Sequence, residues 1–122
     1  MRRIWTQWNS GDREVRPDQI DPEVEIHSAL TNAVYRGHEG AGRWMREIDE
    51  QFSDWRIELE GVNELQEDLV VASGSISMRG RQSGLDLVQP AGWVVELRDG
   101  RLYRLRNFVD PDEAAAFAAG ER

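Results

Sequence analysis

Apolar and polar residues alternate along two runs that flank an Asp99-Gly100 dipeptide near the end of the chain. Asp-Gly supplies the positive backbone angles of a tight type I′ turn at low steric cost, so the pattern predicts a β-hairpin within residues 93–110. If the dipeptide forms the turn, Leu97 faces Leu102 across the hairpin. One face is then expected to carry Val94, Tyr103, Leu105 and Asn107. The other face is expected to carry Trp93, Val95, Arg104, Arg106 and Phe108.

Three helices are predicted outside the hairpin. Residues 1–10 predict a short helix whose apolar face is Ile4, Trp5 and Trp8. Residues 38–52 predict a longer amphipathic helix. Its apolar stripe is Ala41, Trp44, Met45, Ile48 and Phe52. The last helix is predicted from Asp110, a good N-cap, with Pro111 in the first helical position.

Alternation with a period of two predicts three more strands, at residues 23–29, 54–60 and 69–79. The first strand of the hairpin is predicted to cover residues 85–97. Pro90 and Gly92 cannot sit comfortably in a regular ladder, so we expect a bulge or a sharp bend there. Residues 30–36 are predicted as a loop. The order of elements predicts one α+β domain over residues 1–122, with the helices packed on one side of a curved sheet.

Composition narrows the classes of partner. A net charge of -8 among 122 residues argues against nucleic acid, because phosphates would be repelled. No apolar run approaches the ~20 residues that span a bilayer, so we expect no membrane association and a cytoplasmic protein. The chain has no cysteine and only two histidines, His27 and His38, so no metal site is expected.

Five short motifs in order resemble the SnoaL-like polyketide cyclase family. They are Asn9–Asp12, Asp21–His27, Tyr35–Gly40, Asp99-Gly100 and Asp110–Ala114. This family belongs to the nuclear transport factor 2-like superfamily, with ketosteroid isomerase and limonene epoxide hydrolase as relatives. The resemblance implies a cone-shaped, cystatin-like α+β barrel, in which a strongly curved mixed or antiparallel sheet wraps around helices and leaves a deep apolar pocket. Members usually have more helix before the segment that matches residues 2–9, which implies a shortened first helix or a start codon placed late.

The resemblance also implies where chemistry would occur. Catalytic members carry a carboxylate three residues before the aspartate that opens the last helix, and this position is Asn107 here. An amide cannot take a proton at neutral pH, so Asn107 could orient or donate a hydrogen bond but could not act as a general base. The base of the isomerases corresponds to Ile26 or His27, which makes His27 the one plausible proton acceptor. Tyr35 could polarise a ligand carbonyl, and the other expected ligand contacts are Trp8, Trp44, Tyr103 and Leu105.

Three functions remain open from the sequence. The favoured one is a protein that binds a small apolar, carbonyl-bearing molecule in the cone pocket without a cofactor. The second is a cofactor-independent isomerase, cyclase or hydratase that uses His27 as acid and base, with Asn107 and Tyr35 polarising a carbonyl. The third is a non-catalytic interaction domain. We expect a homodimer through the sheet face, with contacts made by Trp93, Arg104, Arg106 and Phe108.

Overall fold

The computed structural model describes residues 18–29 and 31–120. Within these ranges the chain forms six β-strands and two α-helices. The strands are β1 (Ile20–Ser28), β2 (Ala33–Arg36), β3 (Phe52–Gln66), β4 (Leu69–Gly80), β5 (Asp86–Arg98) and β6 (Arg101–Phe108). The helices are α1 (Gly37–Gln51) and α2 (Pro111–Gly120). The helix predicted for residues 1–10, with Ile4, Trp5 and Trp8, lies outside the described residues.

All six strands form one curved sheet in the order β2-β1-β6-β5-β4-β3. Four strands, β3 to β6, form an antiparallel meander, and β2 pairs antiparallel with β1. Strand β1 pairs parallel with β6 and so joins the first part of the described chain to the last. The α+β class and the mixed sheet are therefore confirmed.

Helix α1 covers one face of the sheet, which we call the inner face. Ala41, Trp44, Met45 and Ile48 are buried, as the apolar stripe predicts, and they share a core with Val70 of β4 and with other inner-face residues. The fifth residue of the stripe, Phe52, instead begins β3. The helix begins at Gly37, whose φ of +72° favours glycine.

Helix α2 packs on the opposite face, which we call the outer face. Its Ala114 is buried in a second cluster with Val71 and Val94, whose neighbours Val70 and Val95 point inward. The expectation that the helices lie on one side of the sheet is therefore wrong for α2. Its N-cap is as predicted. The Asp112 N–H donates to Asp110 Oδ1 at 2.9 Å.

The hairpin between β5 and β6 turns at Asp99 and Gly100, with φ values of +53° and +77°. Leu97 pairs with Leu102, as predicted. The next pair joins Glu96 to Arg104, so Tyr103 is an extra residue in a β-bulge. The bulge shifts the register of the hairpin by one residue beyond this point.

That shift changes which side chains share a face. Val95 pairs with Leu105 and Trp93 with Asn107 on the inner face. Val94 belongs to the outer face, opposite Arg106. The two faces predicted for the hairpin were therefore wrong, because strict alternation makes no allowance for an extra residue.

A predicted loop and a predicted bulge differ from the structure. The predicted loop at residues 30–36 contains the short strand β2, in which Tyr35 is the one buried side chain, so its pattern carried almost no alternation. At Pro90 the pairing of β4 with β5 continues without a register shift. Pairs of β5 with β6 begin at Gly92, so the missing N–H of Pro90 breaks no ladder on that side.

Candidate functional site

One row of side chains on the inner face brings together the polar and aromatic groups of interest. Ala72 pairs with Trp93, and Trp93 pairs with Asn107. On the other side of β6, His27 of β1 pairs with Arg106, so the next residues in these two parallel strands, Ser28 and Asn107, are neighbours. We call Ala72, Trp93, Asn107 and Ser28 the Asn107 row.

The amide of Asn107 has a defined orientation. Its Nδ2 group donates long hydrogen bonds to the backbone oxygens of Gly92 at 3.4 Å and Phe108 at 3.5 Å. Because both neighbours are carbonyl oxygens, the amide nitrogen must face them. Oδ1 accepts no hydrogen bond from the described residues, and it is not fully buried. Asn107 therefore presents an acceptor that solvent or a ligand can reach.

The adjacent inner row contains two other predicted site residues. Tyr35 pairs with Ile26, Ile26 with Leu105, and Leu105 with Val95. Leu105 is buried and contributes apolar surface beside Asn107, as expected for a core residue of this row.

The hydroxyl of Tyr35 is already engaged. It donates to Thr31 Oγ1 at 2.7 Å and lies 3.1 Å from Glu47 Oε2 on α1. The Arg43 guanidinium stacks 5.1 Å from the centre of the ring. These contacts fasten β2 to α1 and leave the hydroxyl without a free hydrogen for a ligand carbonyl.

His27 lies on the outer face, opposite to the Asn107 row. It shares a row with Arg106 and Val94, and its Nε2 lies 2.7 Å from Glu25 Oε1. The structure therefore does not bring His27 and Asn107 together, and the prediction that His27 faces the inner pocket is wrong. The reason is the alternation of β1, in which Ile26 is the inward residue.

The surroundings of His27 form a row of charged side chains across the outer face. Arg104 lies 3.2 Å from Glu96 Oε2 and 3.8 Å from Glu25 Oε1. The hydrogen bond from His27 is the main reason that the pKa of Glu25 is lowered. Burial, and then repulsion by Arg104, lowers the pKa of Arg106, which lies 3.7 Å from Glu96 Oε1.

Of the remaining predicted ligand contacts, one lies inward and one outward. Trp44 is buried in the inner core on α1. Tyr103 is the bulged residue, and the guanidinium groups of Arg98 and Arg104 stack over its ring at 4.1 Å and 5.2 Å from the centre. Tyr103 is thus held among outer-face arginines instead of beside Asn107. Trp8 lies outside the described residues.

Ser28 is the functional candidate that sequence reasoning missed. It is 5% exposed and ends β1 on the inner face. The signal was present, because Val24 and Ile26 alternate inward and place Ser28 in the next inward position.

The side chains of these two rows can bind polar groups of a ligand. The inner positions of β1, β5 and β6 in the two rows carry no carboxylate and no imidazole. They are Ile26, Ser28, Trp93, Val95, Leu105 and Asn107. An amide and a hydroxyl can bind and orient a ligand, but neither takes a proton at neutral pH.

Other features of the described chain do not add a second centre. A cavity of about 590 Å³ opens between the turn at Glu67-Asp68 and the turn at Asp99-Gly100, away from the Asn107 row. No group of three or more histidine or acidic side chains in the described ranges could hold a metal ion. Neither described helix is long and apolar enough to cross a membrane.

The sequence matches the model of a known protein family. The model of the SnoaL-like domain matches residues 1–105, which is most of the chain. The chain belongs to the SnoaL-like domain family. The match ends before Asn107, so membership does not depend on that residue. No curated protein matches this SnoaL-like chain.

Solved structures share the fold over nearly the whole length. A protein named as a SnoaL-like polyketide cyclase from Jannaschia sp. CCS1 is 23% identical with a TM-score of 0.74, covering 98% of this chain and 88% of that chain. A hypothetical protein with a ketosteroid isomerase-like fold from Catenulispora acidiphila DSM 44928 is 10% identical with a TM-score of 0.78, covering 96% and 90%. TerC, co-crystallised with polyporic acid, is 18% identical with a TM-score of 0.75, covering 96% and 93%. At these identities the likeness shows the fold.

Proposed function

We propose that this SnoaL-like protein binds a small apolar, carbonyl-bearing molecule on the inner face of its sheet, with the Asn107 row as the point of polar contact. The observation that carries the proposal is the reachable Oδ1 of Asn107, which accepts no hydrogen bond from the described residues. Leaving a polar atom without a partner among apolar neighbours costs free energy unless a ligand or water supplies one.

The surroundings of Asn107 favour an apolar ligand. Trp93 and Leu105 flank the amide on the inner face, and aromatic and aliphatic walls with few polar groups are typical of small-molecule sites. TerC, a neighbour in fold, was co-crystallised with the small organic molecule polyporic acid, which is in keeping with this class of ligand.

Binding explains the arrangement better than catalysis through His27. The isomerase, cyclase or hydratase alternative needs an acid or base beside the ligand. His27 lies on the other face of the sheet and contacts Glu25. No described feature of the inner rows replaces it, so we do not propose this activity.

The test is binding of the bicyclic lactam 2-quinolone, measured by its effect on the thermal unfolding of the protein. We expect the Tm to rise with ligand concentration, because a ligand that binds only the native state stabilises it by mass action. Asn107→Leu should weaken binding about tenfold, the equivalent of ~1.4 kcal/mol for a lost hydrogen bond. Asn63→Leu is the matched control, because Asn63 is exposed on β3. An unchanged Tm of the wild-type protein, or equal affinity of the Asn107 variant, would contradict the proposal.

A second proposal concerns assembly, namely that two copies of the chain pair through the outer face. One observation favours it. A row of side chains with alternating charge crosses four strands. Its members are Glu96, Arg104, Glu25 and Arg36. A row of alternating sign can complement a second copy that approaches in the opposite direction. Trp93 takes no part, because it is buried on the inner face. Arg104 lies in the row, whereas the guanidinium of Arg106 stacks 4.7 Å from the centre of the Phe117 ring of α2.

A further inference from the structure

Ser28 and Asn107 place two polar groups side by side on the inner face. Ser28 is the last residue of β1, and the parallel register makes it the neighbour of Asn107 in β6. Neighbouring strands lie about 4.8 Å apart, so a single ligand can contact both side chains. Both point toward the face that α1 covers.

The two groups have opposite hydrogen-bonding roles. Ser28 Oγ accepts the N–H of Thr31 at 3.4 Å, which uses one of its two acceptor lone pairs and leaves the hydroxyl hydrogen to donate. Among the described residues no acceptor takes that hydrogen. Asn107 is the reverse, because its Nδ2 is held by the carbonyls of Gly92 and Phe108 and its Oδ1 is left to accept.

We propose that Ser28 and Asn107 form a donor and acceptor pair that selects a ligand whose carbonyl stands beside an N–H or O–H group. Ser28 donates to the ligand carbonyl, and Asn107 Oδ1 accepts from the adjacent N–H or O–H. A cyclic lactam or a hydroxy ketone fits this pair better than a bare ketone, which would leave Oδ1 without a donor. The inference rests on the proposed function, because it requires that the ligand occupies the inner face.

The experiment compares two probes that differ in one hydrogen-bonding group. 2-Quinolone carries an N–H beside its carbonyl, whereas N-methyl-2-quinolone keeps the carbonyl and lacks the donor. Affinities for both are measured by calorimetry. We expect the wild-type protein to bind 2-quinolone about tenfold more tightly, because one hydrogen bond is at stake.

Separate variants test the acceptor role of Asn107 and the donor role of Ser28. Asn107→Ala should reduce the preference to near unity, whereas Asn107→Asp keeps an acceptor oxygen and should retain it. Ser28→Ala should weaken both probes by a similar factor, because both keep the carbonyl. Ser75→Ala is the matched control, since Ser75 is half-buried on the outer face. Thermal unfolding without ligand checks that each variant is folded.

The outcomes separate this inference from the proposed function. If both probes bind equally and Asn107→Ala leaves their ratio unchanged, the donor and acceptor pair is wrong while binding on the inner face stands. If neither probe binds the wild-type protein, both proposals are overturned for carbonyl ligands of this kind. A preference that survives Asn107→Ala would mean that the N-methyl group is rejected by its size, and this also overturns the pair.

Discussion

Trp93 and Asn107 lie directly opposite each other across β5 and β6, on the face that α1 covers. Their pairing depends on the bulge at Tyr103, because without the extra residue Asn107 would face Gly92 instead. The bulge also places Leu102 and Leu105 in the inner core together, although they are three residues apart. One inserted residue therefore decides which polar group of β6 faces inward.

Helix α2 packs closely against Gly92 of β5. A Cβ at Gly92 would lie 2.7 Å from the Cβ of Ala114 and 2.9 Å from the Cα of Pro111. Gly92→Ala should therefore lower the free energy of unfolding by about 1–3 kcal/mol, as overpacking does elsewhere. Urea denaturation measures the change. Gly120→Ala is the control, because a Cβ there meets no atom within 4 Å. Equal stability of wild type and Gly92→Ala would show that α2 yields easily.

Much of the fold could be predicted because local signals agreed with one another. The Asp99-Gly100 turn, the stripe of α1 and the cap at Asp110 each depend on a few neighbouring residues. The same is true of β4, whose inward residues alternate strictly as far as Met78. Elements of this kind are specified by sequence alone.

The candidate site was harder to predict because it depends on register between distant strands. The neighbours of His27 follow from the pairing of β1 with β6, which lies far along the chain. A one-residue difference moves a side chain to the other face, so an error at the Tyr103 bulge changes every later assignment in that strand. Leu102 and Leu105 gave a signal, because strict alternation cannot place both of them inward.

Substitution of His27 separates the outer face from the inner one. Because His27 and Asn107 lie on opposite faces, His27→Ala should leave the affinity for 2-quinolone within about twofold, well below the cost of a lost hydrogen bond. It should also raise the pKa of Glu25, since the hydrogen bond from His27 is the main cause of its lowering. Calorimetry and carboxyl NMR titration measure the two effects. A tenfold loss of affinity would return His27 to the binding site.

Tyr35 should affect stability and not binding. Its hydroxyl donates to Thr31 and lies beside Glu47, so Tyr35→Phe removes a contact that fastens β2 to α1. The expected loss is about 1 kcal/mol in urea denaturation. Tyr103→Phe is the matched control and should cost less, because the ring between the two arginines is kept. Weaker binding of 2-quinolone by Tyr35→Phe would instead place the hydroxyl in contact with the ligand.

Charge reversal at the edge of the outer face tests the proposed pairing of two copies. Arg36 is 72% exposed at the end of the row of alternating charge, so its substitution should leave the fold intact. We expect the wild-type protein to be a dimer by light scattering, and Arg36→Glu to shift it toward the monomer, more so at low salt. Arg46→Glu on α1 serves as the control, since it is exposed away from the sheet. A wild-type monomer would end the proposal.

Acid should weaken the fold through Asp21, which ties β1 to the hairpin. Arg98 donates to both carboxylate oxygens of Asp21, at 2.8 Å and 2.7 Å, and this holds the pKa of Asp21 below its ordinary value of 3.8. Because the folded pKa is the lower one, the unfolded chain binds more protons, and the stabilisation is present above pH 3.8 and lost as the pH falls further.

Asp21→Asn should therefore have a lower Tm than wild type at pH 7, and the difference should shrink as the pH falls through the folded pKa. Asp86→Asn removes a similar pair with Arg79, but Asp86 is 72% exposed, so solvent screening should make its effect smaller. Thermal unfolding between pH 7 and pH 2 compares the three proteins. A difference between wild type and Asp21→Asn that stays constant over this range would show that the ion pair with Arg98 does not set the acid response.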